Sequence, residues 1–335
     1  MSEILAKIIR NERVESIHRG DIAVVDADGN LVASVGDPSH ATYMRSAAKP
    51  VQIMPLLEDG VDQHFGLTDP ELAVIMASHN GEDIHVHAVE SILKKIGLNA
   101  GHLKCGFHPP MHAPAAAQHA KNNLPKSPLY NNCSGKHAGM LAVAKFHNWP
   151  LETYLAPNHP LQERIKERMA FFSGLPENEI GVGVDGCSAP VFFLPLKNMA
   201  RIYANLAAGR TPTAFRVFEI KTAHPKMIAG SERFDTELMQ AMAGRMVSKV
   251  GAEGIRCLAV QGERSLGIAL KIADGSKRAS EAVLIEALRQ LGLISESELN
   301  ALASFLQPTI ANFAGIATGV IRAEFKLAFS KRIVG

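Results

Sequence analysis

Residues 45–50 of this 335-residue chain read R-S-A-A-K-P, which sets Ser46 three positions before Lys49. On a helix, positions i and i+3 share a face and their side chains meet. A serine hydroxyl is a poor nucleophile until its proton is taken, and a neutral lysine amine can take it. The same residues also fit a plainer role. Serine is a common helix N-cap, and a lysine one turn later can be simply solvated.

Two further short elements accompany this pair. Ser78-His79-Asn80 follows the apolar run A-V-I-M-A (73–77), and Lys249-Val250-Gly251 enters a late strand region. The three pieces, S-x-x-K, S-x-N and K-x-G, stand in the order used by penicillin-recognising serine acyl-enzymes. The alternative is that Ser78 caps a helix and Lys249 is a surface charge. Two lysines in one pocket have a chemical rationale. A free lysine has a pKa near 10.4, so about one in a thousand is neutral at pH 7.4. Burial and a second nearby ammonium both lower that value. One lysine can then hold charge while the other accepts a proton.

C-S-G-K (133–136) and D-G-C (185–187) form a second constellation. Cys133 and Cys187 are candidate ligands for a borderline metal such as Zn²⁺, although neither belongs to a C-x-x-C pair and both also suit a core. On spacing alone His137 is the third ligand, and Asp185, at a strand end, is an acid, a base or a group supporting the ligands. Arg45 and Asn80 flank the serines and could hold a carboxylate or amide, or act as caps. His108, His112 and His119, scattered among prolines, read as structural, and Cys105 and Cys257 as core thiols.

Composition sets the limits. The chain is 47% hydrophobic and 20% charged with a net charge of +2, an ordinary globular balance that supports a sizeable core. Charges are mixed and no basic run interleaves with aromatics, so nucleic acid is not an expected partner. No stretch approaches the roughly 18 apolar residues of a membrane span, and the first ten residues carry no leader pattern. The expectation is a cytoplasmic protein with no membrane partner, whose four cysteines are free thiols or ligands rather than a disulfide framework.

Several elements must position these residues. Residues 21–35 read as a β-hairpin around Asp28-Gly29-Asn30. A helix is predicted from Ser46 to about Leu57, with Ser46 at its N-terminus, where free N–H groups favour negative charge. Pro50 requires that early start. Further helices are predicted near 83–97, with Ile84 on its apolar face, and at 131–146, 161–172, 195–207, 211–220, 235–243, 279–291 and 296–305. Residues 105–130 read as a structured loop. Strands are predicted near 181–184, 255–260, 266–273 and 315–329, with turns at Gly262-Glu263 and Asp274-Gly275. The simplest arrangement is α+β: an antiparallel sheet uniting the first hairpin, the late hairpin and the last strand, with packed helices and a helical lobe. It is read as one catalytic unit, residues 1–335, with two lobes and no assignable boundary.

The sequence resembles the Rhizobium etli-type (class 3) L-asparaginases, which are unrelated to the threonine-dependent bacterial enzymes. N-E-R-V-E-S-I-H-R-G (11–20), R-S-A-A-K-P (45–50), A-S-H-N-G-E (77–82), C-G-F-H-P-P (105–110), N-N-C-S-G-K-H-A-G-M (131–140), V-D-G-C-S-A-P (184–190), H-P-K-M-I-A-G-S-E-R-F-D-T (224–236), S-K-V-G-A-E-G (248–254) and L-G-I-A-L-K-I-A-D-G (266–275) carry the likeness. It implies hydrolysis of L-asparagine to L-aspartate and ammonia, a serine β-lactamase/glutaminase-like fold and a homodimer. It also implies two Ser-Lys tandems, Ser46 with Lys49 and Ser78 with Lys249, Lys271 being the alternative lysine. A zinc site is implied at Cys133, Lys136 and Cys187 beside Asp185, with Lys136 replacing His137. A lysine ligand must be neutral, so a strongly lowered pKa is expected for Lys136. The alternatives are a β-lactamase- or D,D-peptidase-like hydrolase and a non-catalytic amino-acid-binding protein.

Overall fold

The structure, a computed structural model, describes residues 1–330. The chain divides into two compact units. The first comprises Met1–Ala47, Leu194–Ala208 and the chain from Glu237; the second comprises Ala48–Phe193 and Gly209–Thr236.

The first unit is built on an antiparallel sheet. In space its strands run Thr309–Ala311, Ala317–Ala323, Glu3–Arg10, Arg13–Asp26, Leu266–Ile272, Ile255–Val260 and Met246–Val250. Arg13–Asp26 is long enough to pair with Glu3–Arg10 over its first half and with both Leu31–Val35 and Leu266–Ile272 over its second. The predicted hairpin at 21–35 is therefore present. It joins the late hairpin and a strand of the last segment in one sheet, as the α+β reading requires. Ile255–Val260 and Leu266–Ile272 are buried along their whole length, the pattern of strands covered on both faces. The helix Leu196–Ala207 lies against this sheet. A Cβ at Gly267 would stand 1.8 Å from the Ala200 carbonyl oxygen, so only glycine allows the helix backbone to approach this closely.

The second unit is mainly helical, with Asp69–Ile75, Asp83–Lys95, Ser134–Phe146, Pro160–Ser173 and Pro212–Ala223 as its main helices. Ser134–Phe146 is its core element, buried from Ser134 to Ala144. A short hairpin pairs Gly181–Val184 with Pro190–Pro195.

Several expectations are corrected. Residues 46–57 do not form one helix. Arg45–Ala48 is a 3-10 turn, followed by the short helices Lys49–Gln52 and Met54–Glu58. Pro50 and Pro55 each occupy a first turn, where the missing N–H is tolerated, and so divide the segment. Ser46 consequently lies in the 3-10 turn and not at an α-helix N-terminus. The region 105–130 contains the helix Ala113–Lys121, which the reading missed because it buries no residue and its alanines give no apolar period. Ile84 is 40% exposed rather than on a buried face. Asp274-Gly275 leads into the helix Ser280–Gln290 and not into a second hairpin strand. The stretch 296–305 is divided at Leu302 into Glu296–Ala301 and Ala303–Leu306.

Candidate active site

Both units contribute residues singled out from the sequence. In the second, Lys49 is 1% exposed, and its ammonium donates to Ser78 Oγ at 3.0 Å, to the Asn132 carbonyl at 3.2 Å and to the Ala77 carbonyl. Burial pulls its pKa below the ordinary lysine value. The Cys133 thiolate opposes that fall and the Lys136 charge deepens it. Asn132 is itself fixed, because its N–H donates to His108 Nε2 at 2.9 Å. Ser78 is fixed by its own N–H, which donates to the Ile228 carbonyl at 3.0 Å.

The sulfur-bearing residues gather next to Lys49. Cys133 precedes the helix Ser134–Phe146 and Cys187 follows the strand Gly181–Val184, and both are buried. The two free thiols are hydrogen-bonded to each other. That bond holds Cys133 well below the ordinary thiol value against its burial and, together with burial, pushes Cys187 up. The two thiols therefore titrate as a pair, the loss of one proton being favoured by their mutual hydrogen bond and the nearby lysine charges. Lys136 Nζ donates to Cys187 Sγ at 3.0 Å, and Asp185 Oδ2 lies 3.8 Å from the same sulfur. Among the described residues no three His, Cys, Asp or Glu side chains form a metal-binding group. The donor set is instead two sulfurs and one amine. Two hydrogen-bonded thiols and an amine 3.0 Å from one of them are the groups here that could hold a metal ion. The expectation of a lowered Lys136 pKa is corrected. Burial lowers it, but the charges of Cys133 and Cys187 outweigh burial and hold the ammonium above its ordinary value. Metal binding there must release that proton. His137 turns away from the sulfurs, and its Nδ1 meets the Tyr154 hydroxyl at 2.6 Å. Adjacent helix positions are about 100° apart, so one residue reaches Cys187 and the next cannot.

Asn80 is 1% exposed. Its side-chain amide donates to the Ser231 carbonyl at 3.3 Å, and its Oδ1 is buried without a hydrogen-bond partner. Its carbonyl accepts the N–H groups of Met111 and His112. His108 and His119 are also built into the unit, His108 through Asn132 and His119 edge-on to Tyr130.

In the first unit, Ser46 sits in the turn after Arg45, whose φ is +51°, a strained value for an arginine. Lys249 is fully buried near the end of Met246–Val250, not at its start, and its Nζ donates to the Val250 carbonyl at 2.8 Å. Two residues later, Gly251 lies against the Met44 carbonyl and the Arg45 Cβ, so this strand end abuts the Ser46 turn. Lys271 is two strands away. Burial lowers its pKa, and Glu253, Asp274 and Asp21 raise it. Cys105 and Cys257 are core thiols raised by burial.

The profile of the L-asparaginase II family matches residues 6–323. The chain belongs to the L-asparaginase II family. This membership supports an asparaginase-type amidohydrolase. No curated protein matches the sequence. Among solved structures, a beta-lactamase from Mycobacterium bovis is similar with 14% identity and a TM-score of 0.44, over 81% of this chain and 94% of that one. A Bacillus glutaminase has 13% identity and a TM-score of 0.39, over 82% and 91%. The protein named Mglu has 15% identity and a TM-score of 0.43, over 84% of this chain but only 66% of its own length. At these values the resemblances transfer nothing further to the family member described here.

Lys221, Asp235, Gly230 and Tyr203 were missed in the sequence. A lysine in an amphipathic helix reads as solvated, yet Lys221 is fully buried. The sequence carries no signal that would have found it.

Proposed function

We propose that this member of the family is of the Rhizobium etli type and hydrolyses L-asparagine to L-aspartate and ammonia. The observation that carries the reading is Lys49: a fully buried amine, three residues after a serine in a strained turn, 3.0 Å from a second serine hydroxyl.

Ser46 Oγ attacks the side-chain amide carbon of asparagine as its proton passes to Lys49. Lys49 already serves Ser78 Oγ and two carbonyls, which hold it as an ammonium. It becomes a base only when one of its protons is handed on, and Ser78 is the hydroxyl in reach. The amide nitrogen leaves as ammonia after taking up a proton relayed through Ser78, with Lys249 completing the second tandem. Water then cleaves the acyl-enzyme. The buried position of Lys249, on the strand end that abuts the Ser46 turn, favours it over Lys271, which faces three carboxylates. Arg45, Asn80 and Asp185 are assigned to substrate binding. Cys133, Lys136 and Cys187 would hold Zn²⁺, which when bound would supply a positive centre for the α-carboxylate or α-amino end of the substrate. The working form is a homodimer.

The test is ammonia release from asparagine and from glutamine, with and without a chelator, by the natural protein and by Ser46→Ala. Turnover of asparagine that falls at least about a thousandfold in Ser46→Ala supports the assignment. Near-normal turnover in that variant overturns it.

A further inference from the structure

The turn that carries Ser46 is under backbone strain. Arg45 has φ +51°, in the left-handed region that residues with a side chain rarely adopt. Such a conformation is unfavourable and persists only when the surroundings impose it. Two contacts do so. The hydroxyl of Tyr203 donates to the Ala47 carbonyl at 2.8 Å, one residue after Ser46. Tyr203 is fully buried and lies on the helix Leu196–Ala207, which Gly267 lets sit directly on the sheet. From the strand side, Gly251 stands against the turn: a Cβ there would lie 3.1 Å from the Met44 carbonyl oxygen and 3.2 Å from Arg45 Cβ, and would also meet the Ile255 side chain at 2.2 Å. The Ala47 N–H closes the turn on the Met44 carbonyl at 3.2 Å.

We propose that Tyr203 and Gly251 are positioning residues for Ser46, clamping the strained turn from the helix side and the strand side so that the hydroxyl is presented in one fixed direction. This rests on Ser46 being the nucleophile. Neither residue touches the reacting atoms. Their effect is on geometry, and a displacement of about 1 Å at a reacting group lowers a rate by about a hundredfold. Of the side chains assigned to binding asparagine, Asn80 and Asp185 lie outside this turn and only Arg45 lies in it, so the loss falls mainly on kcat.

The test compares kcat, KM and thermal stability for Tyr203→Phe, which keeps the ring and removes only the hydroxyl, and for Gly251→Ala, which pushes the turn from the other side. The expected result for Tyr203→Phe is a kcat lower by about tenfold or more, a KM within about twofold of the natural protein, and a small loss of Tm. Gly251→Ala should show the same split, and it stands as the second variant should Tyr203→Phe not fold. A folded variant with natural kcat overturns the proposal, as does a loss that falls equally on kcat and KM together with a large drop in Tm, which marks general loosening. Ser46→Ala is assayed alongside. If it retains turnover, the nucleophile assignment fails and the positioning role fails with it. If it is inactive while Tyr203→Phe turns over normally, only the positioning role fails.

Discussion

Replacing Lys221 by methionine should make the protein more stable near neutral pH, by an amount that declines as the pH rises. Lys221 lies in the helix Pro212–Ala223, is fully buried, and its Nζ has no hydrogen-bond partner. Burial lowers its pKa from 10.5 to about 7, against the charge of Asp235, which raises it, with Lys49 adding to the fall. In the unfolded chain the amine keeps the higher value. Between about pH 7 and pH 10.5 the unfolded state therefore binds more protons than the folded one, and stability rises with pH. Below pH 7 both states are protonated and the full penalty applies. A fall of roughly 3.5 units at about 1.4 kcal/mol each makes that penalty about 4–5 kcal/mol. Methionine has similar length and no charge. It removes the penalty, whose size already includes the attraction between Lys221 and Asp235. The gain below pH 7 is then about 4–5 kcal/mol, and it disappears towards pH 10. Urea unfolding at half-unit steps from pH 6 to pH 10 measures both. The slope decides the matter, because only a group whose pKa differs between the folded and the unfolded chain makes the difference vary with pH. The stability difference between variant and natural protein should shrink by about 1.4 kcal/mol per pH unit from pH 7.5 to 10. A difference that does not vary with pH would show that Lys221 titrates normally and would refute the reasoning.

Gly230→Ala should lose about 3 kcal/mol in urea unfolding, because φ at this residue is +112° and a Cβ would stand 2.2 Å from the Asn80 side chain; a loss under about 0.5 kcal/mol would show that the loop gives way freely. Cys133→Ser should lower zinc retention after dialysis by at least about tenfold, since the residue held as a thiolate becomes a neutral hydroxyl; zinc content equal to that of the natural protein would remove Cys133 from the ligand set.

The candidate residues could be picked out in the sequence because their spacing is local. Ser46 and Lys49 are three residues apart, and Cys133 and Lys136 likewise, a spacing that makes neighbours on a helix. The α+β class was legible because β-branched hairpins at 21–35 and 255–273 flank a long helical stretch. Helices with an apolar period, such as Pro160–Ser173 and Leu196–Ala207, were also readable. Ala113–Lys121 was not, because no face of it is buried and no pattern was selected. The break of 46–57 turned on where two prolines fall relative to the first turn of each piece, which periodicity does not encode.

What only the tertiary structure decided is long-range. That Lys49 reaches Ser78 depends on segments 29 residues apart, and that Lys136 meets Cys187 on segments 51 apart. That Lys136 and not His137 faces the sulfurs depends on the rotation of one helix. That Lys221 is buried with Val217, Phe218 and Ile220 depends on what covers its helix. A sequence states which groups a chain owns. Protonation depends on what burial and opposing charge put beside each group, and those neighbours are brought together only by folding.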